Sequence, residues 1–534
     1  MFCWMKKLYR LIIASNTKQT PEQSSSKKKD DPLSGDLKVN LKKIKETFAN
    51  ASDIVIRQFE IGSDVRIDAF IVYVDGLVDK EIVQISLMKP LMIDMHLAKT
   101  DDFFNRKTAF EIIKKRILSI SEVKEIHCFQ DAVDAIISGD TVLFLDGSST
   151  ALIAGLRGWE ARSITQPDTE VVVRGPREGF TETLRTSTAQ LRRRIKNPNL
   201  KFESMKIGRQ TKTDVVIAYI KGIVDDKIVE EVKRRLSRID TDSILESGYI
   251  EEYIEDNPLS FLPTVGNSEK PDLVAAKMLE GRVAILTDGT PFVLTVPYLF
   301  IEAFQSTEDY YSRPYYASIL RLLRFTAFFI SEFAPAFYVA LTTYHQEMIP
   351  PALLISMAAA KEGTPFPAFV EAMIMGVIYE ILKEAGVRLP RPVGQAVSIV
   401  GALVIGESAV SAGLIGAPMV IVVAITAISA FVVSSISDTV SIMRLLYVIL
   451  AGALGLFGIM IGIAGFLTHL VSLRSFGVPY LSPLAPTTMQ DMKDVFVRAP
   501  WWTMFTRPRV IGWKNPVRQK FRLMPEAPDD DEDE

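Results

Sequence analysis

Cysteine is nearly absent. The 534 residues hold two, Cys3 and Cys128, which excludes a disulfide framework and a Cys-rich metal site. Histidine is almost as scarce: His96, His127, His345 and His469 lie far apart, with no HExxH, CxxC or paired-histidine spacing, so no metal chemistry is expected. There is no P-loop, no GxGxxG after a strand and no GxSxG. Ser148 and Ser149 follow an Asp-Gly turn, but no histidine close in sequence can activate either one. The chain therefore reads as no enzyme, with no catalytic residues and no cofactor. Net charge is only −3, which removes any global nucleic-acid signature.

What is present is a change of character. From Met1 to about Tyr316 the chain is charge-rich and soluble in style. From about Phe325 to Val471 it carries apolar runs nearly free of charge, interrupted by Glu332, Glu371, Glu380 and Glu407. The mean hydropathy of +0.18 averages these two parts and describes neither. The reading is an α/β soluble region of two related subdomains followed by an all-α polytopic membrane domain. Its divisions are a disordered N-terminal tail and linker (1–36), a first α/β subdomain (37–160), a basic connector helix (161–204), a second α/β subdomain (205–316), a membrane domain (317–475) and a basic-aromatic interfacial tail ending in an acidic run (476–534).

The N-terminal residues MFCWMKKLYRLII do not form a signal peptide, because Lys6, Lys7 and Arg10 break the apolar stretch and no A-x-A site follows. The soluble region is accordingly expected on the cytoplasmic side. The first 13 residues read either as a frayed tail or as a segment lying on a membrane surface.

The soluble region repeats itself. Residues 70–83 (FIVYVDGLVDKEIV) resemble residues 216–229 (VIAYIKGIVDDKIV), each an apolar strand, a glycine turn, an aspartate at a helix start and a helical pattern. Residues 142–147 (VLFLDG) match 284–289 (AILTDG), each a strand ending in an Asp-Gly hairpin signal. Two motifs recurring in the same order indicate two related modules.

Between the modules lies a basic segment. Residues 178–195 are expected to be helical, ended by Asn197-Pro198. Arg185, Arg192, Arg193, Arg194, Lys196 and Lys201 make the segment positive, which fits either a solvated connector or a docking surface for lipid headgroups or an acidic partner. Arg177 and Glu178 are candidates for an inter-subunit salt bridge, and Arg192, Arg193 and Arg194 join them as candidates for subunit coupling.

About four to five membrane spans are expected. Residues 325–344 form one, with Arg321 and Arg324 anchoring its cytoplasmic end and Pro335 a possible kink. Residues 393–435 suffice for two, with a turn near 413–418. Residues 365–383 are long enough to cross, but Glu371 and Glu380 fall on opposite helix faces, so a span, a re-entrant helix and an interfacial helix all stay open. Residues 445–471 read as one long span whose Gly452, Gly455, Gly458, Gly462 and Gly465 share a broad face at about 100° per residue, where helix backbones can approach closely. After the last span, residues 498–509 (RAPWWTMFTRPR) combine Trp and Arg as headgroup regions do.

An acid within a span is costly unless it faces water or a partner. Glu407 leads the candidates for an ion path, with Ser411 one turn along on the same face; Glu332 and Glu371 follow. A ring of subunits would turn Glu407 into a ring of carboxylates suited to cations. The competing reading is a buried glutamate that only packs helices.

The sequence RGPREGF (174–180), the arginine-rich helix and NPNLKFE (197–203) resemble the signature core of the GerA family, the A subunits of bacterial spore germinant receptors. So do SITQPDTEVVVRGP (163–176), DGSSTALIAG (146–155) and the membrane segment 313–351. The resemblance runs from about residue 50 to 515. It implies a subunit of the inner membrane of dormant endospores that works with a transporter-like B subunit and a lipoprotein C subunit. It also implies homo-oligomers forming a nutrient-gated ion channel, with the nutrient pocket mainly in the B subunit. A stage V sporulation paralogue, assisting ion or dipicolinic-acid release, shares the architecture. A secondary transporter is the reading from another class, but such proteins show repeats within the membrane region, and here the repeat is in the soluble part.

Overall fold

The computed structural model describes residues 31–61, 66–94, 113, 123–158, 170, 172–388, 406–512, 514–520 and 523–525. The linker at 16–30, the residues at 393–405 and the acidic end at 526–534 lie outside the described residues. The chain divides into two compact units. One comprises Met1–Glu255, Val265–Pro297 and Phe505–Arg522, the other Asp256–Thr264, Tyr298–Met504 and Leu523–Glu534.

The first unit holds two five-stranded sheets with the same topology. Strands β1 (Ile54–Ile61), β2 (Ile67–Val74), β3 (Val123–Ile126), β4 (Thr141–Leu145) and β5 (Ala151–Ala154) are ordered β1-β2-β4-β5-β3. Strands β6 (Leu200–Ile207), β7 (Thr213–Ile220), β8 (Gly266–Ser268), β9 (Val283–Thr287) and β10 (Val293–Val296) are ordered β6-β7-β9-β10-β8. The repeated sequence motifs occupy equivalent places in the two sheets. Helices α1 (Leu37–Thr47) and α2 (Phe129–Ile137) belong to the first sheet. Helix α3 (Leu184–Arg194) follows, and α4 (Asp226–Ser237), α5 (Ser247–Ile254) and α6 (Pro271–Leu279) belong to the second.

The apolar runs of the central strands follow from burial on both faces. Phe70, Val72 and Val74 of β2 pack with Ile44, Phe48, Phe129 and Val133, and Phe70 stacks on Phe144 at 4.6 Å between ring centroids. The other face of β2 sets Ala69 and Ile71 against Val83, Leu87, Leu91 and Leu152. Both Asp-Gly turns connect antiparallel strands, with Gly147 and Gly289 at φ 79° and 89°. There an L side chain meets steric strain. Asp79 accepts from the Glu81 and Ile82 N–H groups, and Asp225 accepts from the Lys227 N–H, so the repeated aspartates cap helix starts. The first module departs from the expected pattern after this cap: its α-helix covers only Lys80–Ile82 and continues as π-helix over Val83–Met88.

The basic helix is shorter than expected. It spans Leu184–Arg194 rather than 178–195, because residues 178–183 are held in non-helical form by distant partners. The Phe180 N–H donates to Glu269 O, and the Leu184 N–H is accepted by Asp288 from the β9–β10 turn. Strand β6 begins at Leu200, inside the stretch assigned to the connector.

The second unit is helical: α7 (Pro314–Thr343), α8 (Pro351–Lys361), α9 (Ala368–Arg388), α10 (Gly406–Ser411), α11 (Ala417–Val432), α12 (Ser437–Leu454) and α13 (Leu456–Ser472). Helix α7 runs on through Pro335 and packs against α12, with Phe333 and Tyr447 at 4.6 Å between ring centroids. Among the described residues, α7 and α12 are the two helices long and apolar enough to cross a membrane by length and composition. Helix α9 has the length but carries Glu371, Glu380, Lys383, Glu384 and Arg388. The single span expected over 445–471 is two helices. Gly455 sits at φ 61° and ψ −140°, a backbone conformation that glycine tolerates and other residues do not, and it separates α12 from α13.

Candidate functional site

Two groups of charged residues stand out, one in each unit. In the first unit they gather on α3. The Arg192 guanidinium is fully buried. Its Nε and Nη2 each donate to an Asp53 carboxylate oxygen at 2.9 Å, and its Nη1 donates to Leu200 O at 3.1 Å. It also lies over the Phe202 ring, 4.9 Å from the centroid. Asp53 stands just before β1, while Leu200 and Phe202 are in β6, so one side chain ties the first sheet to the second. Beside it, Lys201 Nζ donates to Thr47 O at 2.8 Å. Burial, with repulsion from Lys221 and Arg192, pulls that ammonium down to about 8. Ser52 N–H donates to Phe202 O, and the Ser204 hydroxyl donates to that of Ser52, completing the junction.

The neighbouring arginines turn the other way. Arg193 and Arg194 donate to the Glu178 carboxylate at 3.2 and 2.6 Å. Burial pushes this carboxyl up, but the two guanidiniums hold it below its ordinary value. Arg185, at the start of the helix, pairs with Asp75, which also binds Lys80 at 2.8 Å. Glu178, Arg192, Arg193 and Arg194 are thus engaged within their own chain. Arg192 in particular cannot reach a second subunit, because no part of it is exposed. Arg177 differs: it is exposed, as is Arg174, and neither has an ion-pair or hydrogen-bond partner among the described residues.

In the helical unit the carboxylates divide into three kinds. Glu332 on α7 and Glu371 on α9 are buried, and among the described residues none of their four carboxylate oxygens has a hydrogen-bond partner. The Tyr338 and Tyr447 hydroxyls are also buried, without a partner among the described residues. Glu380 is paired with Arg444, and Lys383 stands 3.9 Å away. That pair helps line a cavity of about 600 Å³ together with Pro335, Ala372, Gly376 and Val448. Glu407 and Ser411 are exposed on the short helix α10. The structure joins neither of them to Glu332 or Glu371.

The glycines of α12 and α13 have different surroundings. A Cβ on Gly452 would collide with the Phe369 ring, one on Gly458 with Leu450 O and one on Gly462 with the Tyr447 ring. Gly455 marks the helix break, and Gly465 faces open space.

Two expected membrane anchors have other roles. Arg321 is fully buried, paired with Asp309 at 3.3 Å and Asp494 at 2.8 Å; Arg324 binds Asp309 at 2.8 Å. Residues of the expected interfacial tail also return to the first unit. Arg507 Nε donates to Leu279 O at 2.8 Å, and Gly512 packs against Glu280 O. Sequence reasoning missed Asp53, Asp75, Asp309 and Asp494. Asp53 and Asp494 find their arginines 139 and 173 positions away, and Asp75, although inside the repeated stretch, finds Arg185 110 positions on. The spacings of 12 and 15 from Asp309 to Arg321 and Arg324 match no motif.

A family model described as Bacillus/Clostridium GerA spore germination protein matches residues 42–510. The chain is 47% identical over 496 residues to Spore germination protein KA of Bacillus subtilis, covering 92% of this chain and 90% of that one. It is 46% identical over 505 residues to the Uncharacterized membrane protein YfkQ of the same organism, covering 94% and 96%. It is 39% identical over 494 residues to Spore germination protein GerLA of Bacillus cereus, covering 92% and 99%. The crystal structure of the N-terminal domain of the A subunit of the Bacillus megaterium spore germinant receptor GerK3 is 42% identical, with a TM-score of 0.40, covering 51% of this chain and 98% of that one.

Proposed function

The chain belongs to the Bacillus/Clostridium GerA spore germination protein family, and on that premise we propose that it is the A subunit of a spore germinant receptor. Its helical unit spans the inner membrane of the endospore, with the N-terminal sheets on the cytoplasmic side. Several copies assemble, and their helical units together pass cations when a nutrient signal arrives from a transporter-like B subunit and a lipoprotein C subunit. The observation that carries the ion-passing part is the pair of carboxylates, Glu332 and Glu371, buried without a partner among the described residues. A carboxylate without a partner in an apolar bundle is destabilising. Its presence there is accounted for when it serves a passing cation.

The two sheets and α3 then work as a coupling scaffold. Arg192 and Asp53 fix one sheet to the other, so a push on either module is shared by both. Spores lacking this chain test the subunit role. They are expected to lose cation release and germination in response to the nutrients its receptor serves, while still germinating with nutrients served by other receptors. Unchanged responses to every nutrient would contradict it.

A further inference from the structure

Helix α5 buries Ile250 and Ile254 and turns another face outward. On that face Tyr249 and Tyr253 are 46% and 57% exposed, and Leu245, just before the helix, is 63% exposed. Residues four apart line up on one side of a helix, so Tyr249 and Tyr253 form a short apolar stripe that Leu245 extends. Glu252 is exposed next to Tyr253, and Glu246 and Glu255 cap the two ends of the helix. Burial, followed by repulsion from Glu255, Glu246 and Glu252, raises Glu251 to about 7. Neither Glu251 nor Glu252 forms an ion pair with a basic side chain among the described residues.

The same chain carries the complement. Residues 172–178 form an arm pinned at its ends. Val172 is buried, Glu178 is held by Arg193 and Arg194, and the adjoining Gly179 O accepts from Gln190 Nε2 at 2.9 Å. Between these points Val173 is 86% exposed and is followed by the exposed Arg174 and Arg177, which have no partner among the described residues. An exposed apolar side chain followed by two guanidiniums suits an aromatic stripe with carboxylates beside it. Arginine can pair with the acids and stack on the tyrosines, and Tyr and Arg are the residue types enriched where protein surfaces bind.

We propose that the arm at Val173–Arg177 of one copy docks on the Leu245–Tyr249–Tyr253 stripe of α5 in a second copy. No hydrogen bond or ion pair joins Arg174 or Arg177 to the stripe within one chain. A lipid surface is the poorer occupant, since the carboxylates beside the stripe repel anionic headgroups. Arm and stripe are different patches, so the contact is head-to-tail and closes into a ring when the rotation between copies permits. The docking rests on the reading that copies assemble, and it names the surfaces they use.

The test is the size of the full-length chain in lipid nanodiscs, by mass photometry, with thermal melting to check folding. Arg174→Glu with Arg177→Glu, and separately Glu252→Arg with Glu255→Arg, should each weaken association by about 10-fold or more. A chain carrying all four changes has both charges exchanged and should regain the wild-type size. Mixing the two reversed variants should restore mixed assemblies. A wild-type chain that is monomeric overturns the assembly reading itself. Wild-type oligomers that survive both reversals, or that the four-fold exchange does not restore, leave assembly standing and overturn this docking.

Discussion

Arg192 and Asp53 form a two-point ion pair, 2.9 Å at each contact, sealed from solvent where the two sheets of the first unit meet. Removing one partner leaves an uncompensated buried charge. Arg192→Met is expected to destabilise the unit by about 3–5 kcal/mol, whereas replacing both residues with apolar ones should cost much less. Chemical denaturation of the full chain, following the sheet signal, checks both. Equal losses in the single and double variants would mean that the pair acts through packing alone.

Glu251 gives the first unit a pH dependence of defined sign. Its folded-state value, about 7, lies above the ordinary 4.5, so folding favours its protonated form. The associated stability is fully present below about pH 4.5 and is lost as pH rises through about 7. Glu251→Gln should therefore melt at a higher temperature than wild type at pH 8, with the difference vanishing near pH 4. A gap that widens on acidification would contradict this.

Gly455 should resist substitution. Gly455→Ala puts a Cβ into a backbone conformation open to glycine and against His345 and Tyr344. A loss of about 1–3 kcal/mol is expected from the strain, with more from the contacts. Gly465→Ala, facing open space on the next helix, should be nearly neutral. Thermal stability in detergent compares the two.

Glu371 should trade stability against function. Glu371→Leu removes a buried carboxyl that has no partner among the described residues, so the helical unit should gain about 1–3 kcal/mol. Spores carrying it should release cations poorly. A variant that is less stable than wild type would show that Glu371 serves packing.

The local features of this fold were legible in the sequence. The Asp-Gly turns need a glycine at positive φ, the aspartates at 79 and 225 cap their own helices, and the repeated strands carry their apolar runs openly. The long-range features were not. Arg192 finds Asp53 139 positions away. Arg321 stands beside an apolar run, as a headgroup anchor does, yet closes a buried cluster with Asp309 and Asp494. The helix at 184 begins where Asp288 reaches it, and no neighbouring residue announces that. A glycine-rich apolar stretch looks the same whether its glycines pack helices or, like Gly455, break one. For the site, the sequence put Glu407 first and Glu332 and Glu371 behind it, all by the cost of an acid in an apolar run. That Glu407 is exposed while the other two are buried without a partner among the described residues required the structure.

The central claim is that these carboxylates serve cations crossing the bilayer. Planar-bilayer recording of the purified, assembled chain under a potassium gradient tests it most directly. The account predicts cation-selective currents that fall sharply in Glu371→Gln and Glu332→Gln while the assembly keeps its size. Assembled wild-type chain that passes no current, or variants with unchanged current and selectivity, would contradict it.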